Sequence, residues 1–263
     1  MTEGESLLAS VIADPDDDAI RLVYADWLEE YGGDAGAARA EFIRVQIEKE
    51  SKKRADPKKA ALEAREKELL GLHADGWLRE LPEWARPRKD SLVADDCELF
   101  GFRRGFLQGI VLHEVSDFLA DAPALFAIEP ITHLCLGGGD VLPRLRHSPE
   151  FMGLDGLWFC HYALGDRGAV LFAKLPPMPR LWRLRMYKNE IGDRGLKALA
   201  KWPGLATVEE WELGFNDFNA PGIKALIASP HLRNLKRLEL SDSLIADKTK
   251  QALRERFGKV VQL

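Results

Sequence analysis

The chain has 263 residues, of which 46% are hydrophobic and 30% are charged, and its formal net charge is −5. This length and composition indicate a globular protein with one or two domains and a sizeable core. We expect no membrane-spanning helix, because no apolar run approaches the roughly 18 residues that such a helix needs. The first ten residues lack the basic and apolar segments of a secretion signal. We therefore expect a cytoplasmic protein with no membrane partner.

Residues 3 to about 81 have the periodicity of four amphipathic helices, which predicts a small all-α domain. The second helix has the clearest boundaries. Asp14 is its predicted N-cap, Pro15 occupies the first helical position, and Gly32 follows its last turn. A third helix is expected from about Gly36 to Arg54, and Pro57 is expected to begin the fourth.

Alternating aspartates at 14, 16 and 18 resemble the start of a calcium-binding EF-hand loop, but the rest of that pattern is missing. Ala19 stands where the loop needs glycine, and Ala25 stands where it needs a bidentate glutamate. The first 40 residues hold ten acidic side chains against two arginines, so nucleic acid is not an expected partner there.

Two stretches of this part resemble the bacterial repeat-companion domain, a short N-terminal module that accompanies leucine-rich and other repeats. They are DPDDDAIRLVYADWLEE at 14–30 and RAEFIRVQ at 39–46. Further along the chain, RRGFLQGIVL at 103–112 is similar to the segment that follows the module in repeat-bearing members. The resemblance covers about residues 5 to 80. It implies an architecture of module plus repeats, and it implies no catalytic residues.

The polar side chains of these stretches allow two interpretations. Asp26 on the second helix could form an ion pair with Arg39 or Arg44 on the third helix and so fix the helical hairpin. Alternatively, a group of polar residues could form a docking site for a partner protein: Asp26, Glu29, Arg39, Glu41, Arg44 and Gln46.

The C-terminal part repeats itself, as Pro176, Pro203 and Pro230 show by standing 27 residues apart. The unit with Leu181, Leu184, Met186, Asn189 and Ile191 has the pattern LxxLxLxxNxI and resembles a leucine-rich repeat of the ribonuclease-inhibitor type. Two degenerate units precede the regular ones. We predict an α/β horseshoe of about six units over residues 103–263, with a parallel sheet inside and helices outside, after a helical domain at 1–81 and a linking segment at 82–102.

Alternation along each predicted strand points every second side chain out of the concave sheet. The resulting candidate binding residues, including some that lie just beyond strand ends, are Trp158, His161, Arg183, Arg185, Tyr187, Lys188, Glu210, Glu212, Phe215, Arg237 and Glu239. Arg183 and Arg185 are expected to face Glu210 and Glu212 on the next strand. These charges could form a self-neutralised ladder, worth about 0 to 1 kcal/mol per exposed pair, or a recognition stripe anchored by Trp158, Tyr187 and Phe215.

Histidines and cysteines at neighbouring positions of the same face raise the question of a catalytic or metal site. His133, Cys135, Cys160 and His161 match no zinc spacing, and we predict neither a metal nor a cofactor. Strand geometry places Cys135 and Cys160 about 8 Å apart, which is too far for a disulfide. Three cysteines without a pairing pattern fit a reduced compartment.

The favoured function is a non-enzymatic scaffold or adaptor that binds a protein or peptide on the concave face. One alternative is an enzyme with Cys160 or Cys135 as nucleophile and His161 or His133 as base. A second is a nucleic-acid-binding module that uses Arg183, Arg185, Lys188 and Arg237. The sequence does not specify whether the chain self-associates.

Overall fold

The computed structural model describes residues 2–53, 55–87, 101–160, 164–241 and 245–263. It is a mixed α/β structure with an N-terminal helical region and a sheet of eight strands. The chain divides into two compact units, the first comprising residues 1–110 and 120–131 and the second 111–119 and 132–263. The predicted linking segment lies mostly outside the described residues. The predicted domain limits stay a prediction.

Four helices begin the first unit, as the periodicity predicted. They are α1 (Glu3–Ala13), α2 (Asp18–Tyr31), α3 (Gly33–Ser51) and α4 (Pro57–Arg79). Asp56 caps α4 through a 2.9 Å bond from the backbone N–H of Lys58, with Pro57 at the first position. The bounds of the third helix differ from the predicted range of about Gly36 to Arg54, because α3 begins at Gly33 and ends at Ser51.

The N-cap of α2 differs from the prediction. Asp17 is the cap, and its carboxylate accepts the backbone N–H groups of Ala19 at 2.7 Å and Ile20 at 3.3 Å. Asp14 instead ends α1, where its N–H donates to the carbonyl of Ser10. An acidic run offers several potential caps, so the composition could not decide between them.

A short antiparallel hairpin follows the helices, and all but its last two residues belong to the first unit. Strands β1 (Gly101–Arg103) and β2 (Phe106–Leu112) are joined by a turn at Arg104 and Gly105, both of which have a positive φ. The side chain of Gln46 on α3 binds this hairpin at two points. It donates to the carbonyl of Phe102 at 3.0 Å and accepts the N–H of Gly105 at 2.6 Å.

Helix α5 (Val115–Phe126) has its first five residues in the second unit and the rest in the first. The remainder of the second unit alternates strands with helices and ends with a C-terminal helix and an edge strand. Its elements in chain order are β3 (His133–Leu136), α6 (Leu142–Leu145), α7 (Pro149–Met152), β4 (Gly156–Phe159), α8 (Gly165–Phe172), β5 (Arg183–Arg185), α9 (Asp193–Leu199), β6 (Glu210–Glu212), α10 (Ala220–Ile227), β7 (Arg237–Glu239), α11 (Asp247–Phe257) and β8 (Val261–Gln262). Strands β3 to β8 pair in chain order, and every pair is parallel.

Buried side chains repeat at equivalent positions of consecutive strands and form the core of the second unit. Leu157, Leu184, Trp211 and Leu238 are in register across β4 to β7, and each is completely buried. A single repeat is too short to bury its own apolar face, so neighbouring repeats must share one core. The repeat inferred from the sequence is therefore also a repeat in the structure.

The repeat asparagines satisfy backbone groups between units. Asn216 is nearly fully buried, and its Oδ1 accepts the N–H groups of Asn189 and Ile191, both at 3.0 Å. Its Nδ2 donates to the carbonyls of Met186 and Leu213, both at 2.8 Å. Because an unpaired buried backbone group costs about 1–3 kcal/mol, this side chain stabilises the turns that follow β5 and β6.

Aspartates form a second set of hydrogen bonds between neighbouring repeats, which was not predicted from the sequence. Asp166 Oδ1 accepts the N–H groups of Gly192 and Gly195 at the start of α9. Asp193 Oδ1 does the same for Asn219 and Gly222 at the start of α10, both at 2.8 Å. The N-terminus of α9 and that of α10 are thus each capped by an aspartate of the preceding repeat. The available signal was the sequence GDRG, which occurs at 165–168 and again at 192–195.

We expect Asp193→Ala to lower the free energy of unfolding of the second unit by about 1–3 kcal/mol, because two N–H groups at the α10 terminus lose their acceptor. Chemical denaturation followed by circular dichroism measures the change. Asp217→Ala is the matched control, since Asp217 is an exposed aspartate of the same unit, and it is expected to change stability by less than about 0.5 kcal/mol. Equal effects of the two substitutions would contradict the capping role.

Candidate binding face of the repeat sheet

Three strands place the predicted charged residues on one face of the sheet in the predicted register. Arg183 pairs with Glu210, which pairs with Arg237. Arg185 pairs with Glu212, which pairs with Glu239. These six residues alternate with the fully buried Leu184, Trp211 and Leu238, so their side chains lie on the opposite face from the core.

The charges neutralise one another across the strands. Glu212 is the centre of this network, because its carboxylate lies 2.9 Å from Arg185 Nε, 3.3 Å from Arg237 Nη1 and 3.7 Å from Arg183 Nη2. Arg183 Nε also lies 3.3 Å from Glu210. The ladder is thus present, although Arg237 forms its ion pair with Glu212 while standing in register with Glu210.

Glu239 serves the backbone of its own sheet. Its carboxylate accepts the N–H groups of Ser241 at 2.9 Å and Gly214 at 3.2 Å. Burial raises the pKa of Glu239 above the usual carboxyl value, which these two N–H groups and Arg237 only partly oppose. A side chain with this many internal partners offers little to a ligand.

An aromatic cluster formed by Arg185, Tyr187, Lys188 and Phe215 lies at the carboxyl ends of β5 and β6. The rings of Tyr187 and Phe215 meet edge to face with centroids 5.0 Å apart. The Arg185 guanidinium is 5.8 Å from the Tyr187 ring, and Lys188 Nζ is 5.3 Å from the Phe215 ring. These distances are typical of cation–π contacts.

The backbone of this cluster is strained. Phe215 and Lys188 hold equivalent positions in consecutive units, and both have a positive φ, of 55° and 56°. Such a conformation costs a residue with a side chain about 1–2 kcal/mol. Phe215 nevertheless keeps 39% of its surface exposed. Folding therefore gains less from Phe215 than from the buried aromatic residues of the same unit.

Trp158 does not belong to the exposed surface. It stands on the same sheet face as Arg185, as predicted, but only 3% of it is exposed. Its ring packs against His133 with centroids 4.9 Å apart, and the Arg183 guanidinium lies 5.8 Å from it. The expectation of an exposed tryptophan anchor was wrong, because alternation identifies the face of a strand and not what covers it.

His133 is also buried, and its ring leans over the neighbouring strand. A Cβ atom added to Gly156 would lie 2.1 Å from His133 Cδ2, so only glycine leaves room for this ring. His133 Nδ1 lies 2.6 Å from Thr132 Oγ1. His161, the other histidine considered, lies outside the described residues.

The two cysteines of this face are close together, which corrects the distance expected from ideal strands. Cys135 is in β3 and Cys160 directly follows β4, and their sulfur atoms are 3.2 Å apart. The two-residue offset is as predicted, because Cys135 is in register with Trp158. The expectation that this offset keeps the two side chains apart was therefore wrong.

The first unit uses most of its candidate docking residues internally. Arg44 forms the predicted helix-to-helix ion pair with Asp26 at 2.7 Å and a second one with Glu29 at the same distance. Arg39 does not pair with Asp26 but with the buried Glu129, at 3.2 Å. Glu41 binds Arg65, and Gln46 binds the β1–β2 hairpin.

Comparison with protein families supports leucine-rich repeats in the second unit. A family described as "Leucine Rich repeat" matches residues 183–200 and 204–226, which include β5, α9, β6 and all but the last residue of α10. Leucine-rich repeats generally mediate protein–protein interaction, and domains built from them are typically not enzymes. No curated protein matches the chain. Among the residues that the structure describes, none of the helices has the length and apolar content needed to cross a bilayer.

Proposed function

We propose that this chain is a non-enzymatic scaffold or adaptor that binds a protein or peptide on the strand face bearing the aromatic cluster and the charge ladder. In this proposal the units follow a ribonuclease-inhibitor-like curvature, which makes this face concave, and the helical part is a repeat-companion module. The leucine-rich-repeat match supports a protein partner, since this is what such repeats generally bind.

The observation that carries the proposal is the exposed, strained position of Phe215. A phenylalanine that has a φ of 55° and is 39% exposed costs the fold backbone strain and leaves apolar surface in water. Tyr187 beside it has the amphipathic character that interfaces favour. Aromatic and arginine side chains dominate interface energies, and Arg185 is the third member of this group.

The ladder next to the cluster favours a protein or peptide over nucleic acid. Arg183, Arg185 and Arg237 are each already paired with a carboxylate of the same sheet face. Binding phosphate through these arginines would require breaking their ion pairs, and the negatively charged glutamates would remain beside the phosphate. A polypeptide carrying both signs of charge can instead exchange partners with the ladder while its apolar side chain contacts Phe215.

We expect a displayed library of random peptides to yield binders of the purified full chain that depend on the aromatic cluster. Phe215→Ala and Tyr187→Ala should each raise the Kd of an enriched peptide by about 30-fold or more, the loss of affinity typical of interface hot spots. Isothermal titration calorimetry measures the change. Tyr31→Ala is the control, because Tyr31 is an aromatic residue of the first unit that is 62% exposed, and it should leave the Kd unchanged.

Two outcomes would overturn this proposal. One is a set of peptides whose affinity is insensitive to both cluster substitutions while the variants keep the circular dichroism spectrum of the parent chain. The other is peptides that lose affinity with Tyr31→Ala, which would place the binding surface on the first unit.

A further inference from the structure

The thiol pair Cys135 and Cys160 has a geometry that neither the fold nor the proposed binding function requires. The sulfur atoms are 3.2 Å apart, one on β3 and the other on the residue that directly follows the neighbouring strand β4. Cys135 is buried, with 7% of its surface exposed, whereas Cys160 is partly accessible. One thiol can therefore be reached from solvent, and the other lies directly behind it.

The environment of the pair favours a reactive thiolate at Cys160. A hydrogen bond from the Cys135 thiol lowers the pKa of Cys160 to about 7 and outweighs the opposing effect of burial. A thiol with a pKa near ambient pH is well suited to thiol–disulfide exchange, since it is substantially ionised and still strongly nucleophilic.

The sulfur atoms must approach further before they can bond. A disulfide needs a sulfur–sulfur distance of about 2.05 Å, so the two atoms must close by roughly 1.1 Å. Cys160 lies just beyond β4, which ends at Phe159. Gly137 follows β3, and a Cβ placed there would have only one neighbouring atom within 4 Å, at 3.8 Å, so the end of β3 is not tightly packed at this position.

We propose that Cys135 and Cys160 form a reversible thiol–disulfide site, with Cys160 as the attacking thiol and Cys135 as the resolving thiol. Its co-substrate is a low-molecular-weight disulfide of the glutathione class.

The exchange has two steps that balance. The Cys160 thiolate attacks one sulfur of the small disulfide, forms a mixed disulfide and releases the other half as a thiolate. Cys135 then loses its proton and attacks the Cys160 sulfur, which forms the Cys135–Cys160 bond and expels the second half as a thiol. The protein is oxidised by two electrons, and the small disulfide is reduced to two thiols.

The test uses the full chain with Cys97→Ser, because Cys97 lies outside the described residues and would complicate thiol counting. The protein is incubated with oxidised glutathione, quenched in acid, alkylated under denaturing conditions and mapped by mass spectrometry. We expect a species that has lost two hydrogens and both alkylation sites, with a peptide linking Cys135 to Cys160, and reduced glutathione should restore both sites.

Single variants in this background distinguish the two roles. Cys135→Ala should accumulate a glutathione adduct on Cys160, because the resolving thiol is gone, whereas Cys160→Ala should resist modification. Cys135→Ala should also slow alkylation of Cys160 at pH 7 by roughly threefold, since a thiol pKa near 8.5 leaves only a few per cent as thiolate and the greater nucleophilicity of that thiolate offsets part of the loss.

The wild-type sequence provides a measurement that does not depend on the folding of any variant. Under the same oxidation it should give the Cys135–Cys160 peptide as its main disulfide. A stable glutathione adduct on Cys160 in the presence of Cys135, a principal bond to Cys97, or two fully alkylatable thiols after oxidation would each overturn the proposal.

Discussion

Gly105→Ala is expected to destabilise the first unit by about 2–5 kcal/mol, a large share of the stability of a small domain. Gly105 has a φ of 87°, which a residue with a Cβ rarely adopts. An added Cβ would lie 2.1 Å from Ile43 Cγ1 and 2.9 Å from Ile43 Cα, so α3 itself would have to move. The movement would also weaken the 2.6 Å bond from Gly105 N–H to Gln46.

The same substitution elsewhere in this unit should have the opposite sign. Gly76 lies within α4, and a Cβ added there would meet no atom within 4 Å. Gly76→Ala should therefore stabilise the unit by about 0.5–1 kcal/mol through the higher helix propensity of alanine. Because the chain has two units, hydrogen exchange of α3 and α4 amides is the suitable measurement. Equal and small changes in the two variants would contradict the docking of the hairpin turn on α3.

Regular burial explains what could be predicted from the sequence. Leu184, Trp211 and Leu238 recur at the repeat spacing because each must enter the shared core, and so the strand register and the opposing pairs of Arg183 and Arg185 could be inferred directly. Asn189 and Asn216 could likewise be identified as members of the repeat pattern, and their amides satisfy backbone groups of the turns.

Long-range contacts explain what could not be predicted. Arg39 pairs with Glu129, which is 90 residues away, and Gln46 binds backbone groups 56 and 59 residues away. No local pattern marks such pairs. The burial of Trp158 and the contact between Cys135 and Cys160 depend on side-chain orientation beyond simple alternation, which a count of strand positions does not include.

The candidate site was accordingly only partly predictable. The sequence pattern indicated Tyr187, Lys188 and Phe215 as candidate binding residues on or beside one sheet face, but not the positive φ of Lys188 and Phe215. Residues other than glycine and asparagine seldom adopt this conformation, so composition gave no indication of it. The strained backbone means that the exposed cluster costs the fold free energy, and this cost motivates the hypothesis that the cluster has a binding function.

Arg39 on α3 carries a largely buried charge of the first unit. Arg39 lies between three aromatic rings, with its guanidinium carbon 4.9–5.3 Å from the ring centroids of Trp77, Phe102 and Phe106. Its charge is balanced by Glu129, whose carboxylate also accepts the N–H of Leu107 at 2.7 Å. Only 12% of the Arg39 side chain and 8% of the Glu129 side chain are exposed.

We expect Arg39→Ala to lower the stability of the first unit by about 3–5 kcal/mol at neutral pH, because it leaves a buried carboxylate without its partner. Arg44→Ala is the matched control on the same helix. The Arg44 pairs with Asp26 and Glu29 are largely exposed, so this change should cost less than about 1 kcal/mol. Hydrogen exchange of α3 amides measures both variants.

The loss caused by Arg39→Ala should also depend on pH. Burial raises the pKa of Glu129 above the usual carboxyl value, while Arg39, the Leu107 N–H and Arg21 oppose this shift. Removing Arg39 raises this pKa further, so the folded variant binds a proton that the unfolded chain has released. Stability is then greatest below the ordinary carboxyl pKa of about 4.3 and falls as the pH rises through the folded pKa.

Relative to the parent chain, Arg39→Ala should therefore lose more of its free energy of unfolding at pH 8 than at pH 5. Glu129→Gln in the Arg39→Ala background should remove most of this difference, because an amide carries no charge at either pH and can still accept from Leu107. If Arg39→Ala costs the same at both pH values, the penalty arises from the lost ring contacts of the guanidinium, and the carboxylate of Glu129 is stabilised by the remaining N–H and Arg21 alone.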